Sequence, residues 1–257
     1  MKKICLFAVI LNTSVCMAQS NAKSKTDTTE TQFSAKKDQL TTSADISNYF
    51  VNSNNANSSN ESYLRSFNYL EDTRGNRYLF DKWVKGNVTN QYGQRIINDT
   101  YFFNYDKVSG TFLLTSDKAT IIELNKDQIS ACELMDGATT YRFEKVEALG
   151  KNIFCLVLTD TNKSYVLFKR ITTKFEKANF TTNGISSSGH NYDLYTDKAT
   201  YYIYASATKE FKPVELKKKS INEALPQKKT ITDAYFSEHE DMPVDEAFMI
   251  GLVNKFN

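Results

Sequence analysis

The chain has 257 residues, with 32 basic and 30 acidic side chains, three Pro, nine Gly and a wealth of aromatics (15 Tyr, 17 Phe, 1 Trp). Such a length accommodates one large all-β domain or two small ones, with ample aromatic surface for a core. Setting aside Lys2 and Lys3 with the leader described next leaves 30 basic against 30 acidic groups, a balance that argues against a nucleic-acid binder, whose affinity draws on phosphate neutralisation.

Residues 1–18 read as a secretory signal peptide. Met1-Lys2-Lys3 is the positive end, residues 4–11 are apolar, and Ala18 before Gln19 is a small residue at the cleavage position. The apolar run is too short to span a bilayer, and no later stretch is apolar enough, so no transmembrane segment is expected after cleavage. Cys16 is preceded by Thr13 and Val15 where a lipoprotein signal carries Leu and a small residue. Lipid anchoring at Cys16 is therefore not expected. Cleavage leaves Cys132 and Cys155, both in apolar, strand-like contexts. An exported chain permits a disulfide between them, but two buried free thiols fit the pattern as well.

Residues 19–62 are rich in Ser, Thr, Asn and Lys and are read as a disordered tether, because they lack the apolar surface to offset ordering entropy. Residues 44–51 are its one apolar island. A β domain is expected over 63–216, with 63–70, where Leu64, Phe67 and Leu70 recur at helix-like or mixed spacing, left undecided. Short strands are placed at 83–89, 94–105, 111–115, 120–124, 129–134 and 139–143, each bounded by turn residues. The centre is Asn152 to Ile171, NIFCLVLTDTNKSYVLFKRI. Its two apolar runs flank a polar turn and predict a hairpin with a buried strand. The polar interval 174–191 reads as a loop. Residues 192–195 and 200–205 read as a second hairpin about Thr196-Asp197-Lys198, and 211–216 as a last strand. From Ser220 the period turns helical. Ser220 and Thr230 are candidate caps for helices ending near 224 and 238, and Pro243 suits the first turn of a third. Phe248, Leu252 and Phe256 recur at helical spacing beside Met249 and Val253, a stripe expected to cap the open end or edge of the sheet, with partner docking as the other use of such a helix. The fold class is thus mainly β (α+β): an antiparallel meander forming a sandwich or partly open barrel, with residues 217–257 as a helical cap of the same domain. The Lys217-Lys218-Lys219 and Lys228-Lys229 clusters read as solvated faces.

Signals for catalysis are sparse. The chain has two histidines. His190 follows Ser186-Ser187-Ser188-Gly189 and precedes Asp193, but a Ser-Gly loop supplies neither a rigid elbow nor an oxyanion hole. His239 sits at a helix end beside carboxylates. No phosphate-binding loop, dinucleotide fingerprint or His-Glu-X-X-His occurs. Neither cysteine has a metal-like partner nearby, so no catalytic residue, metal or cofactor is assigned. One constellation has a sharper reading: Tyr192, Tyr195, Tyr201 and Tyr202 could stack on sugar rings if the hairpin displayed them. Against it, strand alternation places Tyr202 and Tyr204 opposite Tyr201 and Ile203.

Tyr78-Leu79-Phe80-Asp81-Lys82-Trp83 with Gly86, the β-meander, and a tail running from Lys217-Lys218-Lys219-Ser220 through Leu225-Pro226 to Phe256-Asn257 together resemble a group of exported β-rich proteins of Bacteroidota, over residues 75–257. The resemblance implies a periplasmic or cell-surface location and carries no activity or site residues. Two functions follow as expectations: a non-catalytic envelope protein acting through contacts with other envelope proteins, or a carbohydrate- or small-ligand-binding module, or degenerate hydrolase, built on the Tyr-rich hairpin.

Overall fold

A computed structural model describes residues 73–257. The leader, the tether, the island at 44–51 and the ambiguous stretch at 63–70 lie outside the described residues. Within them the chain is mainly β and forms an open, sandwich-like α+β fold rather than a closed barrel.

Fourteen strands are described in chain order. They are β1 (Thr73–Arg74), β2 (Lys85–Asn90), β3 (Arg95–Ile97), β4 (Phe102–Asp106), β5 (Thr111–Thr115), β6 (Ile122–Glu123), β7 (Ile129–Asp136), β8 (Thr139–Lys145), β9 (Phe154–Val157), β10 (Tyr165–Glu176), β11 (Thr181–Thr182), β12 (Ser187–Ser188), β13 (Asp193–Ala205) and β14 (Glu210–Val214). Helices α1 (Lys218–Ala224), α2 (Lys229–Glu238) and α3 (Glu246–Lys255) follow. The main sheet runs β1-β13-β10-β9-β8-β7-β2-β3, with β14 also on β13. All its pairings are antiparallel except β1 with β13. A second sheet, β4-β5-β6, packs over one half of it.

Strand parity explains both layers. Val88, Cys132, Leu134, Phe143 and Leu156 share one face and meet Phe103, Tyr105, Phe112 and Leu114 of the small sheet. Their rings interlock: Phe112 stands edge-on to Phe143 at 5.4 Å and to Phe154 at 5.1 Å, the arrangement aromatic quadrupoles favour. Close approach needs Gly86, because a Cβ there would lie 2.7 Å from the Glu133 carbonyl oxygen and 2.9 Å from the Phe103 ring. Farther along the same face, Leu167, Tyr201, Ile203 and Val214 are covered by Ile221, Tyr235, Phe248, Leu252, Val253 and Phe256 of the helical tail. Leu158 borders both clusters. The opposite face carries a smaller cluster of Cys155, Val166, Phe168, Tyr202, Tyr204 and Phe211, roofed by Val146 and Leu149 from the β8–β9 connection.

The central hairpin forms as expected, with Phe168 opposite Val157 and Lys169 opposite Leu156. Four expectations are corrected. Residues 94–105 are two strands in different sheets, because the Asn98 side chain caps a turn by accepting from the Thr100 N–H. Residues 192–205 contain no hairpin; Thr196-Asp197-Lys198 lies inside the 13-residue β13, which pairs along its length with β10. The interval 174–191 continues that ribbon and closes on the β11–β12 hairpin. The α3 stripe covers the sheet's face, not its end or edge, so the stripe is spent on the core. Helix caps also differ. Asp245 caps α3, leaving Pro243 outside it. The Ser220 hydroxyl accepts from the Glu215 N–H instead of capping α1, and Thr230 lies inside α2.

Candidate functional site

The four tyrosines proposed for ligand stacking do not converge. Tyr201 is 8% exposed, lies under the helices, and donates its hydroxyl to Glu246 Oε2 at 2.9 Å. Lys169 pairs with the same carboxylate oxygen at 2.6 Å, so these three side chains bind the first turn of α3 to the sheet. Burial, followed by that hydrogen bond, raises the Tyr201 hydroxyl above its ordinary pKa. Tyr202, one residue on, points to the other face among Phe168 and Phe211. Tyr192 is sandwiched between the Arg74 guanidinium, 3.7 Å from its centroid, and the His190 ring, stacked at 4.8 Å. Tyr195 leans on its cross-strand neighbour Phe175 at 4.8 Å. The period of two along β13 accounts for the split between Tyr201 and Tyr202.

The cysteines are separated by the same alternation. Cys132 is opposite Phe143, whose partner on β9 is Leu156; Cys155 is opposite Glu144. The two thiols therefore lie on opposite faces, one in each cluster, and both are buried and free. No disulfide joins them. Burial raises both thiol pKa values, that of Cys155 to about 12.

His190 is not assembled with a nucleophile. Its Nδ1 bonds the Tyr192 carbonyl and its Nε2 lies 3.8 Å from Glu176 Oε2. Ser187 and Ser188 are hydrogen-bonded across the small hairpin to Thr182 and Thr181, and Asp193 accepts from the Ala178 N–H. The His239 ring stacks on Tyr235 at 4.1 Å, with Nδ1 at 2.9 Å from the Tyr235 carbonyl. Among the described residues no cluster of three or more His, Cys, Asp or Glu is placed to hold a metal, and no helix is long and apolar enough to cross a membrane.

What the topology does build is an arm. Strands β10 and β13 stay paired from Tyr165 opposite Ala205 to Glu176 opposite Leu194. Packing on the domain reaches the last of these pairs, and the segment between them, 177–192, continues beyond it. The last braces are β1 beside Asp193 and Leu194, and the β4–β5 turn, whose Lys107 carbonyl accepts from the Thr173 N–H. Lys107 Nζ also pairs with Asp197 at 2.6 Å. Residues 177–189 beyond these braces are all exposed. Asn183 turns the tip, its Oδ1 accepting from the N–H groups of Ile185 and Ser186. Phe175, Phe180 at 52% exposure and Ile185 at 97% project from this ribbon. Among the described residues its two tip strands pair only with each other. The signal for the arm was weak in the sequence because the tip is polar and Gly-containing, which locally reads as a loop.

No protein-family model, curated protein or solved structure matches the chain.

Proposed function

We propose that the protein is an exported, non-catalytic component of a bacterial cell envelope that works through contacts with another protein. The observation carrying this reading is the β10–β13 arm, which holds Phe180 and Ile185 in water at the end of a hydrogen-bonded ribbon. Large apolar side chains at a protruding tip lower no free energy in the monomer, whereas burial in a partner releases about 25 cal/mol per Å² of apolar area. The Thr and Ser residues of β11 and β12 would supply a polar rim of the kind that interfaces carry. The partner is accordingly a protein with an apolar depression sized for a hairpin tip. Export is supported by the pattern of residues 1–18, and the near balance of charge fits a protein-contact role.

Replacing Ile185 by a photo-crosslinking amino acid in the full-length chain, expressed in its own cells, tests this reading. One discrete crosslinked species of constant mass is expected, absent when the crosslinker replaces Lys219 on the distant helical tail. Equal, diffuse crosslinking from both positions would refute it.

A further inference from the structure

A second feature of the molecule has no part in the arm's proposed contacts. At the end of the sandwich, where the β4–β5 turn, the β6–β7 connection and the β8–β9 loop meet β10, lies a cavity of about 140 Å³. Four cations line it, Lys107, Lys126, Lys151 and Arg170, and no carboxylate does. Each comes from a different segment, so no spacing in the sequence announces them.

Two of these cations are matched from outside the cavity: Lys107 by Asp197 at 2.6 Å, and Lys151 by Asp127 at 3.5 Å. Among the described residues no carboxylate pairs with Lys126 or Arg170. Among the described residues Lys126 Nζ makes only long contacts, 3.4 Å each, to the Ser109 and Gly110 carbonyl oxygens. Arg170 is partly buried on a paired strand, and a guanidinium cannot shed its charge. A further cation stands beside the cavity, since Lys145 donates to the Lys126 carbonyl. Burial, and secondarily Lys151, lower its pKa, while Asp127 and Glu147 oppose the change.

The cavity also has a neutral donor. Tyr105, 3% exposed, lines it. Burial raises the pKa of that hydroxyl well above its ordinary value, so it remains an O–H. Gly110, at φ +63°, brings the turn over it: a Cβ there would lie 3.6 Å from the hydroxyl oxygen. Partly buried cations without counter-charges are costly unless something neutralises them.

We infer that this cavity binds a small oxyanion of the phosphate class, with the Arg170 guanidinium and the Lys126 ammonium as its charge partners and the Tyr105 hydroxyl as a neutral donor. A planar guanidinium offers paired N–H donors matched to two oxygens of such a group. The size agrees, because the cavity is well below the ~300–1,000 Å³ of sites for drug-sized ligands and takes a phosphate group but not a nucleoside attached to it. The anion is either free or the terminal monoester of a larger molecule whose remainder stays outside.

Calorimetric titration of the full-length protein with inorganic phosphate, and separately with glycerol phosphate, tests the site. Saturable binding of one equivalent is expected, weakened at least tenfold by Arg170→Gln, less by Tyr105→Phe, and unchanged by Lys219→Gln on the exposed tail. If Arg170→Gln fails to fold, Lys126→Gln serves in its place, since its side-chain nitrogen makes only the two long contacts. Binding of both probes assigns the site to a monoester terminus, and binding of inorganic phosphate alone assigns it to the free anion. No saturable heat with either probe, or wild-type affinity in the folded Arg170→Gln or Lys126→Gln protein, overturns the inference.

Discussion

Individual residues carry the tightest constraints of the fold. Asp106 has a side chain with 0% exposure, yet its four acceptances are all filled: Arg77 Nε and Nη2 reach Oδ2 at 2.9 and 2.7 Å, and the Val108 and Ser109 N–H groups reach Oδ1. Asp106→Ala removes the acceptor of the Val108 and Ser109 N–H groups along with the Arg77 pairing. It is therefore expected to cost about 1–3 kcal/mol in denaturant-melt stability, and a loss below about 0.5 kcal/mol would contradict this geometry. Asp117 works in the open. It accepts N–H bonds from Thr120 and Ala119 and an O–H bond from Thr120, and these hold its carboxyl well below the ordinary range. A lowered folded-state pKa contributes stability above the unfolded value near 3.9, and the contribution is lost as the pH falls toward the folded value. Melting temperature followed from about pH 5 to about pH 2 should fall less steeply in Asp117→Asn than in wild type. Parallel curves would show that the caps contribute nothing. At Cys132 and Cys155 the expectation is kinetic: raised pKa values and burial should leave both unlabelled by iodoacetamide in native protein and fully labelled in denaturant, as read by peptide mass.

Among the elements, α3 and the β10–β13 ribbon show how far a single sequence conveys its fold. The α3 stripe was legible as a stripe because Phe248, Leu252 and Phe256 recur at helical spacing, and all are buried. Where it docks was not legible, since the i, i+4, i+8 pattern names a face and not its partner; the surface is set by Leu167, Tyr201 and Ile203, 45 to 89 residues earlier. Leu252→Ala should cost about 2–5 kcal/mol, the range for emptying a packed core site, with chemical denaturation as the check. The central hairpin was legible because both its strands are apolar runs around a polar turn. The arm was not: Thr196, Asp197 and Lys198 have turn chemistry, and their extended state is fixed by twelve consecutive pairings with β10 that local sequence does not encode. The same applies to the Tyr constellation, where composition drew attention to four rings that strand alternation then separated. The basic cavity had no local signal at all, as its four cations stand on four separate segments.

For the molecule as a whole, the sandwich, the helical cover and the arm divide the work. The two-layer core and the Tyr201–Glu246–Lys169 cluster secure a stable body, while the ribbon carries apolar groups beyond it. Because Phe180 and Ile185 contribute little to the body's own packing, they can be changed without unfolding it. The double variant Phe180→Ser with Ile185→Ser is thus expected to melt within about 0.5 kcal/mol of wild type. The proposed contact role is tested most directly by the native size of the full-length protein in mild detergent extracts of its own cells, compared with this variant at equal abundance. Wild type is expected in a discrete assembly larger than its own mass, and the tip variant, equally folded, at the monomer position. Elution of both as monomers, or of both in the same assembly, would contradict that role.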